Sequence, residues 1–410
     1  MNQNPFTTPF WEHAHTVLAA QAANWVHGQK FAGAAQEGPE LDALCRQMVQ
    51  QLALAGWLRY AVPQQQNRLD VRALCVLRQT FAQHLALLDF VFVMQALGSG
   101  PIALFGTEDQ RKRYLPRVVA GQAIPAFALS ELDAGSDAAA LMCQAQPIST
   151  PSGSGYVLNG RKAWVSQGCL ADFYVVFARL APAPYEPQPF KRTAGITAFI
   201  VDAGTPGLTI DEKVTLMSPH PMAHIRLEEC FIPSSQRIGA EGEGFAIAMR
   251  TLDVFRSTVA AAAVGLSRRA LQEALNYARQ RPMRGQVLAD LPIAQAHLAR
   301  MVAQIEAAHL LMSQAAWLCD QGQPPTQAAA LAKWVATENA QQVVDTAMQL
   351  CGARAVVAQH PLEVLYREVR ALRIYEGASD VQQLIVAREL LRECAGFDAP
   401  QISTIPTKEA

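Results

Sequence analysis

Between Gly244 and Arg281 the chain contains no proline, and apolar side chains recur there at helical spacing: Phe245, Met249, Leu252, Phe255, Val259, Ala263, Leu266 and Ala270. That stripe predicts one amphipathic helix about 50 Å long. A helix of that length cannot bury its stripe alone and demands partners of similar length. The sequence supplies them at 292–320, at 325–351 and after Glu376. Long helices joined by short connections predict an up-down bundle. Half of the residues are hydrophobic and alanine is abundant, which suits close helix packing.

The remainder divides by texture. Residues 10 to about 122 read as helices, punctuated by Gly and Pro at 98 to 101 and at 116. From Ala123 to about 235 short β-prone runs take over, among them "DFYVVFARL", "GITAFIVDA" and "IRLEECFIP". Asn159-Gly160 inside "GYVLNGRKAWVS" is a two-residue hairpin signal. The proline-rich "APAPYEPQPF" predicts an exposed loop. A mainly antiparallel β unit between two helical units is therefore expected.

Several classes are disfavoured. A net charge of −1 provides no general attraction to nucleic acid. The apolar run "LALLDFVFVMQALG" is interrupted by Asp89 and Gln95 and is shorter than the roughly 20 residues of a membrane span. "MNQNPFTTPFWEHAH" lacks a basic segment followed by an apolar one, so no signal peptide is expected. The eight cysteines are scattered without a CxxC pair, as in a reducing compartment, and a cytoplasmic location is expected. GxSxG, HExxH, GxxxxGK[ST] and a post-strand GxGxxG are all missing. His220 and His224 are four apart, but Pro219 and Pro221 deny them a shared helix, and no metal is expected.

Three segments carry candidate chemistry. "FALSELDAGSD" (127–137) is a small-residue turn with two serines after an apolar strand. "GRKAWVSQG" (160–168) puts Trp164 and Ser166 at i and i+2 of a strand, on one side of it. They offer a planar ligand a ring and a hydroxyl, or else are a core tryptophan and an exposed serine. In "RIYEGASDVQQLIVAREL" (373–390), Tyr375 is expected to face inward and carry Glu376 toward the interior, and Gly377 to permit a close approach. Glu376 is then either a base in a dry pocket or a charge at a helix N-terminus.

Taken in order, these segments resemble the acyl-CoA dehydrogenase family of flavoproteins. "FALSELDAGSD" is similar to its ALTEPxAGSD element, "GRKAWVSQG" to its flavin-facing strand, "YARQRPMRGQVL" to YAxxRxxFGxxL and "QLCGARAV" to QxxGGxG. The resemblance covers about residues 85 to 392. It implies a mainly α fold with a central β domain: an N-terminal helical domain (1–122), an antiparallel β-barrel-like middle domain (123–235), a C-terminal four-helix bundle (236–395) and a tail (396–410). It also implies FAD, an acyl-CoA thioester substrate, electron-transfer flavoprotein as partner, a homotetramer and a place in fatty acid metabolism.

Residue by residue, the resemblance makes Glu376 the base that takes the α-proton while the β-hydride goes to flavin N5. Some relatives carry the base on the long bundle helix, where this chain has Phe255. Leu129 and Ser130 would sit near the pyrimidine end of the flavin, Trp164 against its ring, Ser166 near N5 and O4, and Ser136 at the pyrophosphate. Arg281, Arg284, Gln349, Gly352 and Ala353 would serve the FAD of a neighbouring subunit. Asp253, Arg256, Tyr375 and Gly377 would line the substrate site, with a structural helix pairing equally open for Asp253 and Arg256. Leu132, Asp133, Arg284, Ala353, Ala355 and Ala378 depart from the family pattern. The departures at 284, 353, 355 and 378 fall around the adenosine half and imply altered FAD binding there. Alternatives of the same scaffold are an acyl-carrier-protein thioester dehydrogenase, an acyl-CoA oxidase and a non-catalytic binding protein.

Overall fold

In a computed structural model, residues 5–7, 9–29, 31, 38–63, 68–150, 153–181 and 192–395 are described. Most of the proline-rich loop and the 396–410 tail lie outside them. Five helices come first: α1 (His13–His27), α2 (Pro39–Leu54), α3 (Val71–His84), α4 (Ala86–Phe105) and α5 (Glu108–Val119). The strands are β1 (Pro125–Ala128), β2 (Gln144–Thr150), β3 (Gly153–Ser166), β4 (Phe173–Leu180), β5 (Ile196–Asp202), β6 (Leu208–Lys213), β7 (Met222–Pro233) and β8 (Arg237–Ile238). The long helix α6 (Gly244–Gln280) follows, then the small hairpin β9 (Pro282–Met283) and β10 (Gln286–Val287). The chain ends with α7 (Pro292–Asp320), α8 (Thr326–Cys351), α9 (Pro361–Leu372) and α10 (Ser379–Ala395).

The expected helical stripe of α6 is the spine of the bundle. Its buried run from Phe255 to Ser267 packs against α8, α3 and α7, and α8 also carries α10. At the other end, α6 reaches β5 and α4.

Local breaker signals in the N-terminal half lose to packing. Gly98, Gly100 and Pro101 do not end a helix but lie inside α4, and Pro116 lies inside α5. The reason is close approach: a Cβ on Gly98 would come 2.7 Å from the Pro125 backbone. One on Gly100 would come 3.1 Å from the Phe255 ring. A break that no Gly or Pro announces falls at residue 85, where extended Leu85 (φ −151°) separates α3 from α4. The resulting α4 has 20 residues, long and apolar enough to span a membrane, yet 83% of that window is buried within the protein.

The β unit is an open sheet in the order β6-β7-β3-β2-β4-β5-β8, with β1 also on β4. The barrel-like expectation is corrected, because the terminal strands β6 and β8 do not pair with each other. Nor is the sheet wholly antiparallel: β1 and β2 run parallel to β4. Asn159-Gly160 is no hairpin turn either. It is a bulge within the 14-residue β3, where the pairing to β7 shifts register. The Asn159 side chain exchanges two 2.8 Å hydrogen bonds with Glu229 across that bulge, and Gly160 (φ +150°) leaves room for Cys143.

Candidate active site

Glu376 occupies the turn between α9 and α10. α9 buries Leu362, Leu365, Val369 and Leu372, so its end is fixed against the bundle. Tyr375 is 39% exposed, yet its hydroxyl is desolvated and faces the charges of Arg78, Glu376, Asp89 and Glu368, on the inner side as expected. The backbone adds to that inward direction: Glu376 itself is left-handed (φ +52°), followed by Gly377 at φ +97°. A glutamate in that region is uncommon and costs on the order of 1–2 kcal/mol, and such strain concentrates at functional sites.

The carboxylate so delivered has an unusual inventory. Glu376 Oε2 is screened from solvent and has no hydrogen-bond partner among the described residues. The Glu376 N–H likewise donates to no group among them. Burial pushes the Glu376 pKa up, against the opposing charges of Arg78, Lys333 and Arg256 and with some help from Asp89. An unpartnered carboxylate of raised proton affinity, beside an unpartnered amide, is equipped to take a proton next to a carbonyl it can hydrogen-bond.

Two of the three nearby cations are already paired with carboxylates. Arg78 forks onto Asp89 with two 2.8 Å hydrogen bonds and gives a third to Thr258 at 3.0 Å. Arg256, 4% exposed, pairs with Asp253 at 2.6 Å, and Asp253 accepts from Thr326 at 2.8 Å. The Arg256 Nε approaches the Glu376 carbonyl oxygen at 3.4 Å. Asp253 and Arg256 thus meet as a helix pair behind the base turn. Neither Lys333, whose Nζ donates to the Gly377 carbonyl at 2.7 Å, nor Gln382, which does so at 3.0 Å, emerged from the sequence. The legible signal for Lys333 was a lysine on an alanine stripe, with Ala329, Ala336 and Ala340 on the same helix face.

The 129–136 loop and the end of β3 form a second cluster. Trp164 (φ +58°) lies in a bulge where the β3–β7 register shifts between Lys162 and Val165. Val165 is buried, whereas Trp164 is 49% exposed and Ser166 half-buried, so the two share the open side. His224 packs edge-on to the indole, 4.9 Å between ring centres. The hydroxyls of Ser130, Ser136 and Ser166 have no partner among the described residues. Lys162, fully buried, holds the loop by donating to the Leu129 carbonyl (3.0 Å) and to Glu131 (2.7 Å). Glu131 in turn accepts from the Met142 and Cys143 N–H groups.

Arg281, Gln349, Gly352 and Ala353 line a separate cavity of about 800 Å³, together with Tyr277 and His297. Arg284 is outside that lining, exposed on the two-residue β9–β10 turn with φ +51°. No hydrogen bond or ion pair joins this cavity to the Trp164 strand among the described residues. A half-exposed indole, free hydroxyls and an arginine-lined cavity fit a large planar cofactor with a pyrophosphate.

Sequence comparison agrees with that geometry. Profiles described as the N-terminal, middle and C-terminal domains of acyl-CoA dehydrogenase match residues 13–122, 126–230 and 242–391. Human mitochondrial short-chain specific acyl-CoA dehydrogenase is 34% identical over 92% of this chain and 90% of its own. Acryloyl-CoA reductase (NADH) of Anaerotignum propionicum is 37% identical over 70% of this chain and 71% of its own. The crystal structure of a Bacillus anthracis acyl-CoA dehydrogenase complexed with FAD superposes with a TM-score of 0.83 at 25% identity, covering 96% of this chain and 69% of the other.

Proposed function

The chain belongs to the acyl-CoA dehydrogenase family, FAD-dependent oxidoreductases acting on CH–CH groups, and we propose that its own reaction is dehydrogenation of an acyl-CoA thioester to the trans-2-enoyl thioester. The observation that carries this reading is the partnerless, solvent-screened Glu376 Oε2 on a left-handed turn. Glu376 accepts the proton from Cα, and desolvation has already raised its affinity for that proton. The free Glu376 N–H hydrogen-bonds the thioester carbonyl oxygen, which acidifies Cα by stabilising the developing enolate. Bound FAD supplies the acceptor for the β-hydride.

Cofactor placement follows the two clusters. Leu129, Ser130, Trp164 and Ser166 hold the flavin end and Ser136 the pyrophosphate. Arg281, Gln349, Gly352 and Ala353 serve the adenosine half of a neighbouring subunit's FAD, with Arg284 at the rim. Tyr375 and Gly377 border the substrate. The same reading includes a homotetramer, a cytoplasmic location, a place in fatty acid metabolism and reoxidation by electron-transfer flavoprotein. The identity with acryloyl-CoA reductase (NADH) favours a second reading, the reverse direction, in which protonated Glu376 returns its proton to Cα of an enoyl thioester.

Anaerobic mixing of the yellow protein with a panel of acyl-CoA thioesters tests this. The flavin should bleach with at least one of them, and Glu376→Gln should slow bleaching by about 10²–10⁴-fold. Equal bleaching of both proteins would remove Glu376 from the mechanism. Oxidation of a reduced electron donor by enoyl-CoA, without bleaching by acyl-CoA, would favour the reductive reading.

A further inference from the structure

We propose that Lys333 and Glu338, both on α8, are positioning residues that hold the Glu376 turn in its left-handed form from behind. Glu338 staples the two ends of the turn: its Oε1 accepts from Arg373 Nε at 2.8 Å and from Ser379 Oγ at 2.6 Å, and its Oε2 lies 2.7 Å from Arg373 Nη2. The Ser379 N–H closes the same loop onto the Arg373 carbonyl at 3.0 Å. Lys333 holds the middle through the Gly377 carbonyl, where Gln382 is the second donor. A turn whose central residues favour another backbone form needs such ties.

Lys333 is wholly buried, and among the described residues no acidic side chain forms an ion pair with it. Burying an ammonium against one carbonyl opposes folding, so its place on the alanine face of α8 calls for a reason beyond packing. Its charge supplies one. Arg78 faces Glu376 with Asp89 as its partner, and Arg256 does so with Asp253, whereas Lys333 lacks a carboxylate of its own. Lys333 is itself faced by Arg256, Glu338 and Glu376, and burial brings its pKa down to about 8. Its positive charge therefore opposes the desolvation of Glu376 and favours the ionised form of the base.

The inference rests on Glu376 as the base, so one arm of the test does not need that reading. Amide hydrogen exchange across residues 373–382 is compared in the holoenzyme, without substrate, for wild type, Lys333→Met, Glu338→Gln and Thr337→Ala. Thr337 is buried on α8, and among the described residues its hydroxyl bonds only within that helix, to the Trp334 carbonyl at 3.3 Å. Exchange should quicken in Lys333→Met and Glu338→Gln and stay unchanged in Thr337→Ala.

In the holoenzyme, flavin reduction should slow by about 10- to 100-fold in the first two variants. Lys333→Met should also move the acid limb of the pH–rate profile to higher pH, because the cation that lowers the Glu376 pKa is gone. Glu338→Gln should leave that limb in place. A purely structural lysine would lower the rate evenly, with the limb unmoved, and that result overturns the electrostatic role. Unchanged exchange in both variants overturns the clamp. If Lys333→Met does not fold, Glu338→Gln decides alone, and unaltered exchange and rate refute the proposal. Should Glu376→Gln turn over normally, the base assignment falls while the exchange arm still judges the clamp.

Discussion

Gln382 lies so close to Gly377 that any side chain at 377 would collide with it. The Gln382 amide donates to the Gly377 carbonyl oxygen at 3.0 Å, and its Nε2 would stand 2.2 Å from a methyl group built on Gly377. Gly377→Ala therefore combines a clash with a φ of +97° that alanine resists. Destabilisation of about 1–3 kcal/mol is expected, read as a lowered Tm, together with slower flavin reduction. Adding Gln382→Ala should recover part of the loss by relieving the clash, and the backbone strain should persist. A fully stable single variant would show that the turn adapts freely.

Glu376→Gln should be more thermostable than wild type at neutral pH. A carboxyl whose folded pKa is raised above its unfolded value binds its proton more tightly in the fold. Folding is then penalised once pH exceeds the unfolded value of about 4.3, and the penalty is complete above the folded pKa. The amide never ionises, so its advantage should vanish as pH falls through the ordinary carboxylate range. Thermal melts of both proteins between pH 4 and 8 measure the difference directly. A constant difference at all pH values would mean the carboxylate is not desolvated.

Lys162→Met should unfold more readily by about 3–5 kcal/mol, because it strands Glu131 without its buried partner. Denaturant titration reads the loss. The 129–143 loop hangs on this pair through Leu129, Met142 and Cys143, so FAD should also dissociate faster from the variant. Stability loss without altered FAD retention would separate this loop from the cofactor.

Arg281→Ala should weaken FAD, since charged hydrogen bonds contribute about 1.5–3 kcal/mol, on the order of 10- to 100-fold in affinity. Fluorescence titration of FAD into the stripped protein gives the Kd. Arg284→Ala, which alters an exposed turn outside the cavity lining, should change it much less. Reversed sensitivities would place the adenosine half at the β9–β10 turn.

The bundle was legible in the sequence because long stripes are determined locally. α6 and α7 run as their patterns predict, with Pro292 opening α7. Glu376 and Trp164 were legible as members of a motif series. What the sequence concealed depends on neighbours distant in the chain. Gly98 reads as a helix end until Pro125 is seen pressing on it, and Asn159 reads as a turn until Glu229 takes both ends of its amide. Arg78 and Asp89 pair across the break at Leu85, which no single periodicity joins. The left-handed backbone that aims the Glu376 carboxylate was not legible either, because side-chain hydrophobicity says nothing of the sign of φ.

The twist at Glu376 also limits how this position can drift over generations. Beyond glycine, asparagine and aspartate are the side chains that tolerate such a backbone best. Of these, aspartate alone retains a carboxylate, one methylene shorter. A lineage that abandons glutamate here while keeping a proton acceptor is thus steered toward a shorter reach, and toward substrates whose acidic carbon sits deeper in the cleft.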